Sequence, residues 1–315
     1  MKKLENLFKI SKSPLTIIDV GARGGINHRW KQLIGKYPVN MIGFDADKKE
    51  SERLNSAGED CEKYLPHAIF SPGGKTPFYI TRFPGSCGLL KPCVEYIRRF
   101  YTKGGYDVLG TIELDTESLD HVLNEHKVPD ADYLKLDAEA AELTILENSE
   151  ETLKNVFAVE TEVWFNSLHD KGALFTDLDS YFRKRNFMLF DIARTIFYKR
   201  NCAAQLGGPK GQAFVGNALY MRDLLDKNNT RFCSKDKLIK SVIVSMAYGY
   251  YDYAMEIADN FEAYFGIKEI SEIKNVIRTN GKRFRNFKGR YRMANMLKSL
   301  AQWMSVEESD VLGNW

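Results

Sequence analysis

Residues 15–27 read Leu15-Thr-Ile-Ile-Asp19-Val-Gly21-Ala-Arg-Gly24-Gly25-Ile-Asn27, and this stretch decides the fold. Its apolar, β-branched start predicts a buried strand that runs into an acidic residue. The three glycines allow backbone angles and close approaches that a Cβ atom would prevent. A polar segment compatible with a helix, residues 27–37, comes next. Together these segments predict a strand, a glycine loop and a helix. In α/β domains this arrangement holds a nucleotide-like ligand at the carboxyl end of the first strand.

The spacing of the glycine loop indicates which ligand it suits. D-x-G-x-x-G-G differs from the G-x-G-x-x-G of dinucleotide-binding proteins, and it lacks the Gly-Lys-Ser/Thr ending of a phosphate-binding loop. A single glycine at Gly21, with the small Ala22 beside it, suits a ligand without a pyrophosphate. S-adenosylmethionine, an adenosine joined through a sulfonium to an amino acid, is such a ligand. The alternative is a tight strand-to-helix turn that binds nothing.

Length and composition limit the classes of protein to consider. The 315 residues carry a net charge of +3, which is too small to indicate nucleic acid binding. The first ten residues lack the long apolar core of a signal peptide or a membrane span, so we expect neither. Five scattered cysteines without a C-x-x-C pair indicate neither a zinc site nor a disulfide framework. We therefore expect a cytoplasmic protein.

A second acidic residue follows the glycine loop at the spacing of a ribose-binding site. Residues 39–45, Val-Asn-Met-Ile-Gly-Phe-Asp, predict a second buried strand that ends at Asp45. In a doubly wound sheet the tip of strand two lies beside the ribose of a ligand seated on strand one. A carboxylate there can accept hydrogen bonds from both ribose hydroxyls. The alternative role is the N-cap of the next helix, which Asp47 also suits.

The second informative stretch, ADYLKLDAEAAEL from Ala131 to Leu143, predicts a short buried strand that turns into a helix. In an open parallel sheet its tip lies next to strand one, across the crevice where ligands bind. Asp137, at that tip, is the candidate for contact with the methyl donor or the acceptor. Glu139 and Glu142 share one face of the first helical turn, where acids also serve as caps, and we assign that role to Glu142.

Further strands complete the predicted sheet. We expect them at 64–70, 76–82, 106–114, 156–165, 187–192, 196–199 and 213–221. The carboxylates of Glu160 and Glu162 must face the crevice, a basic partner or solvent, because burial of an unpaired charge is costly. The fold class that follows is α/β, a doubly wound and mostly parallel sheet over residues 1–222.

From about Arg222 the pattern changes to helices alone. Apolar residues recur at helical spacing through 238–246, 250–265 and 270–277, which predicts an all-helical extension over residues 223–315, either a bundle or a helix-hairpin repeat. We expect it to dock on the sheet domain or on a second subunit, which would form a homo-oligomer.

One strongly basic run with interleaved aromatic residues, 282–292, lies within this extension. It suits phosphates of nucleic acid, or the anionic head group of a membrane lipid or lipid-linked glycan. The alternative is a solvated face.

Taken together, the motifs resemble the FkbM family of S-adenosylmethionine-dependent methyltransferases. The resemblance covers about residues 14–222 and includes IDVGARGG (18–25), GFD (43–45), KLDAEAAEL (135–143) and GNALY (216–220). The family form of the third segment is approximately K-I-D-x-E-G-x-E. The resemblance implies a Rossmann-like methyltransferase fold, S-adenosylmethionine as the cofactor, and methyl transfer to oxygen on a sugar, polysaccharide or secondary metabolite.

Site residues follow from the matching positions. The cofactor-binding residues that we predict are Asp19, Gly21, Ala22, Gly25, Asp45 and Asp137. Asp137 and Glu139 would line the reacting end, with Lys135 paired to one of them or to substrate. His169, on a predicted crevice loop, would serve as a general base with a near-neutral pKa, and the alternative is an exposed loop histidine.

Two further expectations concern substrate and metal. The acceptor, a glycan or a small molecule, would be bound by the loops 83–91 and 166–172, because loops at this edge of a sheet carry substrate contacts. The acids at 137, 139, 160 and 162 could hold Mg²⁺ or Ca²⁺ and so help to deprotonate a diol, but our prediction names no metal ligand.

Two departures from the family motifs motivate other hypotheses. Ala140 replaces a glycine, and Arg23-Gly24 replaces an Asn-Ile pair. Arg23 could pair with an acid in the crevice or with an anionic substrate. A catalytically impaired scaffold whose helical tail binds partners is therefore the second hypothesis. An RNA methyltransferase, which rests on the basic run alone, is the third.

Overall fold

The computed structural model describes residues 3–203, 211–281 and Met296. The α-helices in these residues are α1 (Leu4–Ile10), α2 (His28–Lys31), α3 (Lys48–Ala57), α4 (Val94–Ile97), α5 (Leu119–Glu125), α6 (Glu142–Glu147), α7 (Glu150–Asn155), α8 (Phe175–Arg183), α9 (Lys235–Ala247), α10 (Tyr251–Asn260) and α11 (Ile267–Gly281). The strands are β1 (Leu15–Val20), β2 (Val39–Phe44), β3 (Glu62–Leu65), β4 (Ala68–Ile69), β5 (Lys75–Thr81), β6 (Val108–Glu117), β7 (Tyr133–Leu136), β8 (Ala158–Trp164), β9 (Phe187–Tyr198) and β10 (Gln212–Arg222).

A seven-stranded sheet with the order β3-β2-β1-β7-β8-β10-β9 forms the centre of the protein. The first five strands in this order are parallel, whereas β10 runs antiparallel to both β8 and β9. The chain winds outward from β1 to β3 and then returns to β7 on the other side of β1. The carboxyl ends of β1 and β7 therefore flank the switch point, where ligands bind in such sheets. The predicted fold class, α/β with a doubly wound and mostly parallel sheet, is confirmed.

Several predicted strands fall elsewhere. The prediction of a single strand at 64–70 is wrong, because the chain leaves the main sheet after β3. The break falls at Pro66, which has no N–H to donate to a neighbouring strand. β4 then joins a separate three-stranded sheet of order β4-β6-β5, which holds the strands expected at 76–82 and 106–114. The strands expected at 187–192 and 196–199 are one strand, β9.

The helix expected at 27–37 is also shorter, since α2 is a single turn. Asn27 caps it by accepting the Arg29 N–H at 3.0 Å. Turns follow it, and Gly35 lies among them with φ +71°. That backbone angle is incompatible with a continuing right-handed helix.

Both faces of the main sheet are buried because consecutive residues of a strand point to opposite sides. On one face, Ile17 and Met41 belong to a core that includes apolar residues of α1, α9, α10 and α11. On the other face, Ile18 and Ile42 belong to a core with α5, α6, α7 and α8. The helices after residue 222 thus cover one face of the sheet.

The division into two domains at residue 222 stays a prediction, and so does a homo-oligomer formed through the extension. The basic run at 282–292 lies outside the described residues. Within the described part of the chain, no helix has both the length and the apolar character needed to cross a membrane.

Asp132 ties the carboxy-terminal helices to the sheet. Its side chain is 2% exposed, and its Oδ1 accepts a hydrogen bond from Lys237 Nζ at 2.7 Å. Its Oδ2 lies 3.0 Å from Lys240 Nζ and accepts the Thr16 N–H at 2.9 Å. Both lysines belong to α9 and are largely buried. The carboxylate is therefore the counter-charge of two cations that have little access to water.

Asp132→Ala is expected to lower the free energy of unfolding by about 3 kcal/mol, because it removes the carboxylate that pairs with Lys237 and leaves Lys240 with Asp236 alone, at 3.4 Å. Equilibrium unfolding in urea measures the loss. Asp130→Ala, at a neighbouring exposed aspartate, is the control and should change stability by less than about 0.5 kcal/mol. Equal losses in the two variants would contradict the anchoring role of Asp132.

Candidate functional site

The tips of three neighbouring strands meet at the carboxyl edge of the sheet. The Gly21 and Ala22 N–H groups donate to the carbonyl oxygen of Phe44, at 3.0 and 2.9 Å, which joins the tips of β1 and β2. The Asp137 N–H donates to the Val20 carbonyl at 3.0 Å, which joins the tips of β7 and β1. The structure thus brings together the predicted site residues that follow β1, β2 and β7.

Gly21 is required by its backbone angle and by its surroundings. Its φ is +82°, and a Cβ atom built at this position would lie 1.9 Å from the carbonyl oxygen of Asp137. The loop then closes with a hydrogen bond from the Gly25 N–H to the Ala22 carbonyl at 2.9 Å, and Ala22 is buried. A side chain at Gly21 would fill the space where the loop approaches the β7 tip. The predicted cofactor loop, residues 21–25, is therefore compact and packs closely on the tip of β7, and we call it the cradle.

Asp45 projects from the tip of β2 and is mostly buried. Its Oδ1 accepts the Asp47 N–H at 2.7 Å and lies 3.6 Å from Arg23 Nη2. Burial raises the pKa of the Asp45 carboxyl, and the Asp47 N–H and the Arg23 charge oppose that rise. Asp47, not Asp45, caps α3, by accepting the N–H groups of Lys49 and Glu50. Asp45 therefore does not cap α3.

Arg23, which departs from the family motif, pairs with acids of this same edge. Its Nη2 is 3.1 Å from Asp47 Oδ2 in addition to its contact with Asp45. The side chain remains 43% exposed, so it lies at the rim of the cradle.

Lys135 lies between Asp19 and Asp137. Its Nζ is 3.1 Å from Asp19 Oδ1 and 3.3 Å from Asp137 Oδ2. Burial alone would lower the pKa of Lys135, but the two carboxylates raise it above its ordinary value, so the ammonium stays protonated. For Asp19, burial outweighs the attraction of Lys135 and raises the pKa to about 6. Lys135 therefore acts as a fixed cation that orients Asp137.

The turn between β7 and α6 is strained. Glu139 has φ +51° and Ala140 has φ +70°, so two consecutive residues with side chains adopt the left-handed conformation. Each costs roughly 1–2 kcal/mol relative to the right-handed region. The Glu142 carboxylate supports the turn by accepting the Ala138 N–H at 2.8 Å. Ala140 thus adopts a conformation that glycine reaches without cost, and the strain is concentrated at the predicted reacting end.

Glu139 is a buried carboxyl without a hydrogen bond on one oxygen. Among the described residues, its Oε2 has no hydrogen-bond partner. Burial raises the pKa of Glu139 well above its ordinary value, and the negative charges of Asp137 and Glu142 raise it further. For Glu142, burial raises the pKa to about 7. The tip of β7 therefore holds carboxyl groups that bind protons more tightly than exposed ones.

His169 faces Glu139 but differs from the sequence-based expectation. It is buried instead of exposed, and its Nε2 lies 3.7 Å from Glu139 Oε2. Burial lowers the pKa of His169 to about 4, so the expected near-neutral pKa is wrong. The imidazole is neutral at pH 7, and the pair is not an ion pair. In the described residues neither ring nitrogen has a hydrogen-bond partner.

Both loops expected to bind the acceptor reach this turn. A Cβ atom at Gly88 would lie 2.9 Å from Glu139 Cβ, and one at Gly172 would lie 2.8 Å from Ala140 Cβ. The loops also bind each other, because the Asp170 N–H donates to the Lys91 carbonyl at 2.8 Å. The loops 83–91 and 166–172 therefore enclose the Glu139 turn from two sides.

Aromatic residues that the sequence did not single out complete the surroundings of Glu139. Trp164 packs edge-on against His169 with ring centroids 4.9 Å apart, and its Nε1–H donates to Glu162 Oε2 at 3.0 Å. Tyr106, also edge-on to His169, donates a hydrogen bond to Tyr198. No local pattern marks these tyrosines, because they come from a loop and a strand far apart in the sequence.

A cavity of about 280 Å³ shares Tyr106 with this aromatic group. Its wall also includes the polar side chains of Arg98, Thr102, Asp107 and Asn201. Polar groups of this kind suit an acceptor rich in hydroxyl groups.

Glu160 does not join the other acids of the proposed metal alternative. Its carboxylate accepts hydrogen bonds from the hydroxyls of Tyr133 and Tyr248. Among the described residues, the acids at 137, 139, 160 and 162 do not form a group of three convergent ligand atoms.

Comparisons with known proteins show which family part of the chain resembles. Residues 36–189 match the methyltransferase FkbM domain. The segments 18–25 and 216–220, which we also counted in the resemblance, lie outside the matched range. No curated protein matches the chain.

Solved structures with similarity to the chain include three methyltransferases. An rRNA methylase from Streptococcus thermophilus has 11% identity and a TM-score of 0.31, over 69% of this chain and 93% of that one. StiE O-MT has 8% identity and a TM-score of 0.34, over 73% and 77%. The plantazolicin methyltransferase BpumL, in complex with a pentazolic desmethylPZN analog and SAH, has 12% identity and a TM-score of 0.33, over 70% and 83%. The resemblance inferred from the sequence motifs is confirmed over residues 36–189, which are similar to the methyltransferase FkbM domain, and this similarity supports S-adenosylmethionine-dependent methyl transfer by this chain.

Proposed function

We propose that the protein transfers a methyl group from S-adenosylmethionine to a hydroxyl group of a sugar, polysaccharide or secondary metabolite. The observation that carries the proposal is Glu139, a buried carboxyl in a strained turn with one unbonded oxygen. It lies two residues beyond Asp137, whose carbonyl oxygen faces Gly21. An alcohol must lose its proton during methyl transfer, and a buried carboxyl next to the cofactor cradle suits that task.

The residues at the sheet edge fit the cofactor. When bound, S-adenosylmethionine supplies an electrophilic methyl group on a sulfonium. The Asp45 carboxylate would accept hydrogen bonds from the ribose hydroxyls, and the loop from Gly21 to Gly25, which includes Ala22, would pack against the nucleoside. Asp19 and Asp137 place negative charge near the cation, and Lys135 holds both carboxylates in position.

The chain itself supplies the base at the reacting end. Glu139 would take the proton of the acceptor hydroxyl, since its raised pKa makes it a stronger base than an exposed carboxylate. His169, neutral and packed on Trp164, would line the site beside the Glu139 carboxyl. The loops 83–91 and 166–172 would position the acceptor.

Asp45→Asn tests the assignment of the ribose contact. We expect it to weaken binding of S-adenosylmethionine by roughly 100-fold or more, because two charge-assisted hydrogen bonds are lost. Calorimetric titration of the purified protein measures the affinity. Asp60→Asn, at an exposed aspartate, is the control and should bind like the wild type. Retained affinity in Asp45→Asn would refute the assignment.

The acceptor class is tested with a labelled methyl donor. We expect label in sugars, polysaccharides or hydroxylated small molecules, as a methyl ether that survives alkali. Alkali-labile label would indicate a carboxylate ester, and label in RNA would favour the third hypothesis of the sequence analysis. Activity that survives EDTA would eliminate a metal-assisted deprotonation of a diol.

The scaffold hypothesis predicts a different outcome. Ala140 motivated it, but that residue adopts the left-handed conformation open to a glycine, so the turn is built in spite of the added methyl group. Binding of S-adenosylmethionine without transfer to any acceptor would support an impaired enzyme. Absence of binding in the wild type would refute both the enzymatic proposal and its cofactor.

We also propose where the protein acts in the cell. None of the five cysteines is in a disulfide, which is compatible with the cytoplasmic location that we propose. Contact with a lipid-linked glycan or with a membrane surface rests on the basic run at 282–292.

A further inference from the structure

Three histidines and two glutamates form a cluster outside the proposed methyltransferase site. The cluster consists of His67, Glu117, His121, Glu125 and His126, and we call it the histidine–glutamate cluster. His67 follows β3, Glu117 ends β6, and the other three residues lie on α5 or directly after it. The topology therefore brings potential metal ligands from three segments of the chain to one place.

Three of these side chains offer one ligand atom each to a common point. His121 Nε2 lies 3.8 Å from Glu117 Oε1 and 3.9 Å from Glu125 Oε2, and the three ligand atoms lie within 4.8 Å of one another. Two ligands bound at about 2.1 Å to one zinc ion in tetrahedral geometry are about 3.4 Å apart. Small rotations of these side chains would reach that spacing, since His121 and Glu125 are 63% and 58% exposed.

The cluster also contains the contacts that orient a metal-binding carboxylate. Glu117 Oε2 lies 2.5 Å from His67 Nδ1, and because a carboxylate only accepts, this nitrogen carries the hydrogen. His67 Nε2 lies 3.2 Å from His126 Nε2, within hydrogen-bond distance. Hydrogen bonds of this kind fix the ligands of metal sites in their binding orientation.

We propose that Glu117, His121 and Glu125 bind one divalent transition-metal ion, with Zn²⁺ as the best match, and that His67 and His126 orient Glu117. One imidazole and two carboxylates balance the charge of the dication and leave a coordination position for water. The bound ion would link the end of β6 to α5, on different residues from those assigned to the cofactor and the acceptor.

The test is a titration of metal-free protein with Zn²⁺, followed by calorimetry, and with Co²⁺, followed by its visible absorption. We expect one ion per chain. His121→Gln should weaken Zn²⁺ binding by at least about 10-fold, and His67→Gln, which removes only an orienting contact, by about 10- to 100-fold. His28→Gln, at an exposed histidine on α2, is the matched control and should bind like the wild type.

Equal affinities in wild type and His121→Gln would overturn the site, and so would the absence of saturable binding in the wild type. Wild-type affinity in His67→Gln would overturn the orienting role. An unfolding temperature that rises with Zn²⁺ in wild type and His28→Gln, but not in His121→Gln, would support the proposal. None of these measurements requires methyl transfer, so the outcome is independent of the proposed function.

Discussion

Gly21→Ala is expected to lower the free energy of unfolding by roughly 4 kcal/mol or more. The new Cβ atom would lie 1.9 Å from the Asp137 carbonyl oxygen, at a residue whose φ is +82°. The position of a Cβ atom and that of a carbonyl oxygen are both fixed by the backbone, so no rotamer change relieves the clash. The tips of β1 and β7 must separate, which strains the hydrogen bond from the Asp137 N–H to Val20. Equilibrium urea unfolding measures the effect.

Gly24→Ala separates the clash from the cost of the backbone angle. Gly24 has nearly the same φ, +81°, but no atom lies within 4 Å of a Cβ built there. Alanine at this position bears only the left-handed strain, so we expect a loss of about 1 kcal/mol. If both variants lose the same stability, the tips of β1 and β7 separate at little cost. The close packing of the cradle on Asp137 would then be contradicted.

The sequence predicted this edge of the sheet because its signals are local. Each of the strands β1, β2 and β7 is a short apolar run that ends at or near an acid, and the strand order of a doubly wound sheet brings their tips together. The glycines after β1 mark the loop without reference to the rest of the chain. Asp19, Asp45 and Asp137 could therefore be named as candidates from the sequence.

Features that depend on contacts between distant segments could not be predicted. His169 is part of a loop of mixed polarity, and only its packing on Trp164 and Tyr106 buries it and lowers its pKa to about 4. Likewise, the helical spacing after residue 234 predicted apolar faces, but the pairing of Asp132 with Lys240 shows which surface they cover. At the strained turn, the glycine that Ala140 replaces was a signal for the left-handed backbone of Ala140, but no local pattern marked the same conformation at Glu139.

Glu139→Gln is expected to lower kcat by roughly 100- to 10,000-fold, the usual contribution of a general base. The amide has nearly the same shape as the carboxyl but cannot take the proton of an acceptor hydroxyl. Affinity for S-adenosylmethionine should stay near that of the wild type, because Glu139 is assigned to the acceptor side. Initial rates with a labelled methyl donor, combined with calorimetry of cofactor binding, separate these two effects.

The pH dependence distinguishes a base from a merely structural residue. The base must be ionised, so wild-type kcat should rise with pH through the raised pKa of Glu139, and Glu139→Gln should lose this rise.

The free energy of unfolding should fall over the pH range in which kcat rises. The folded protein keeps a proton that the unfolded chain releases near the ordinary pKa of 4.5, so ionisation of Glu139 costs stability as the pH rises above that value. Glu139→Gln should therefore gain stability relative to wild type at alkaline pH. Glu147→Gln, at an exposed glutamate of α6, should change neither profile. Unaltered kcat in Glu139→Gln would exclude Glu139 as the base.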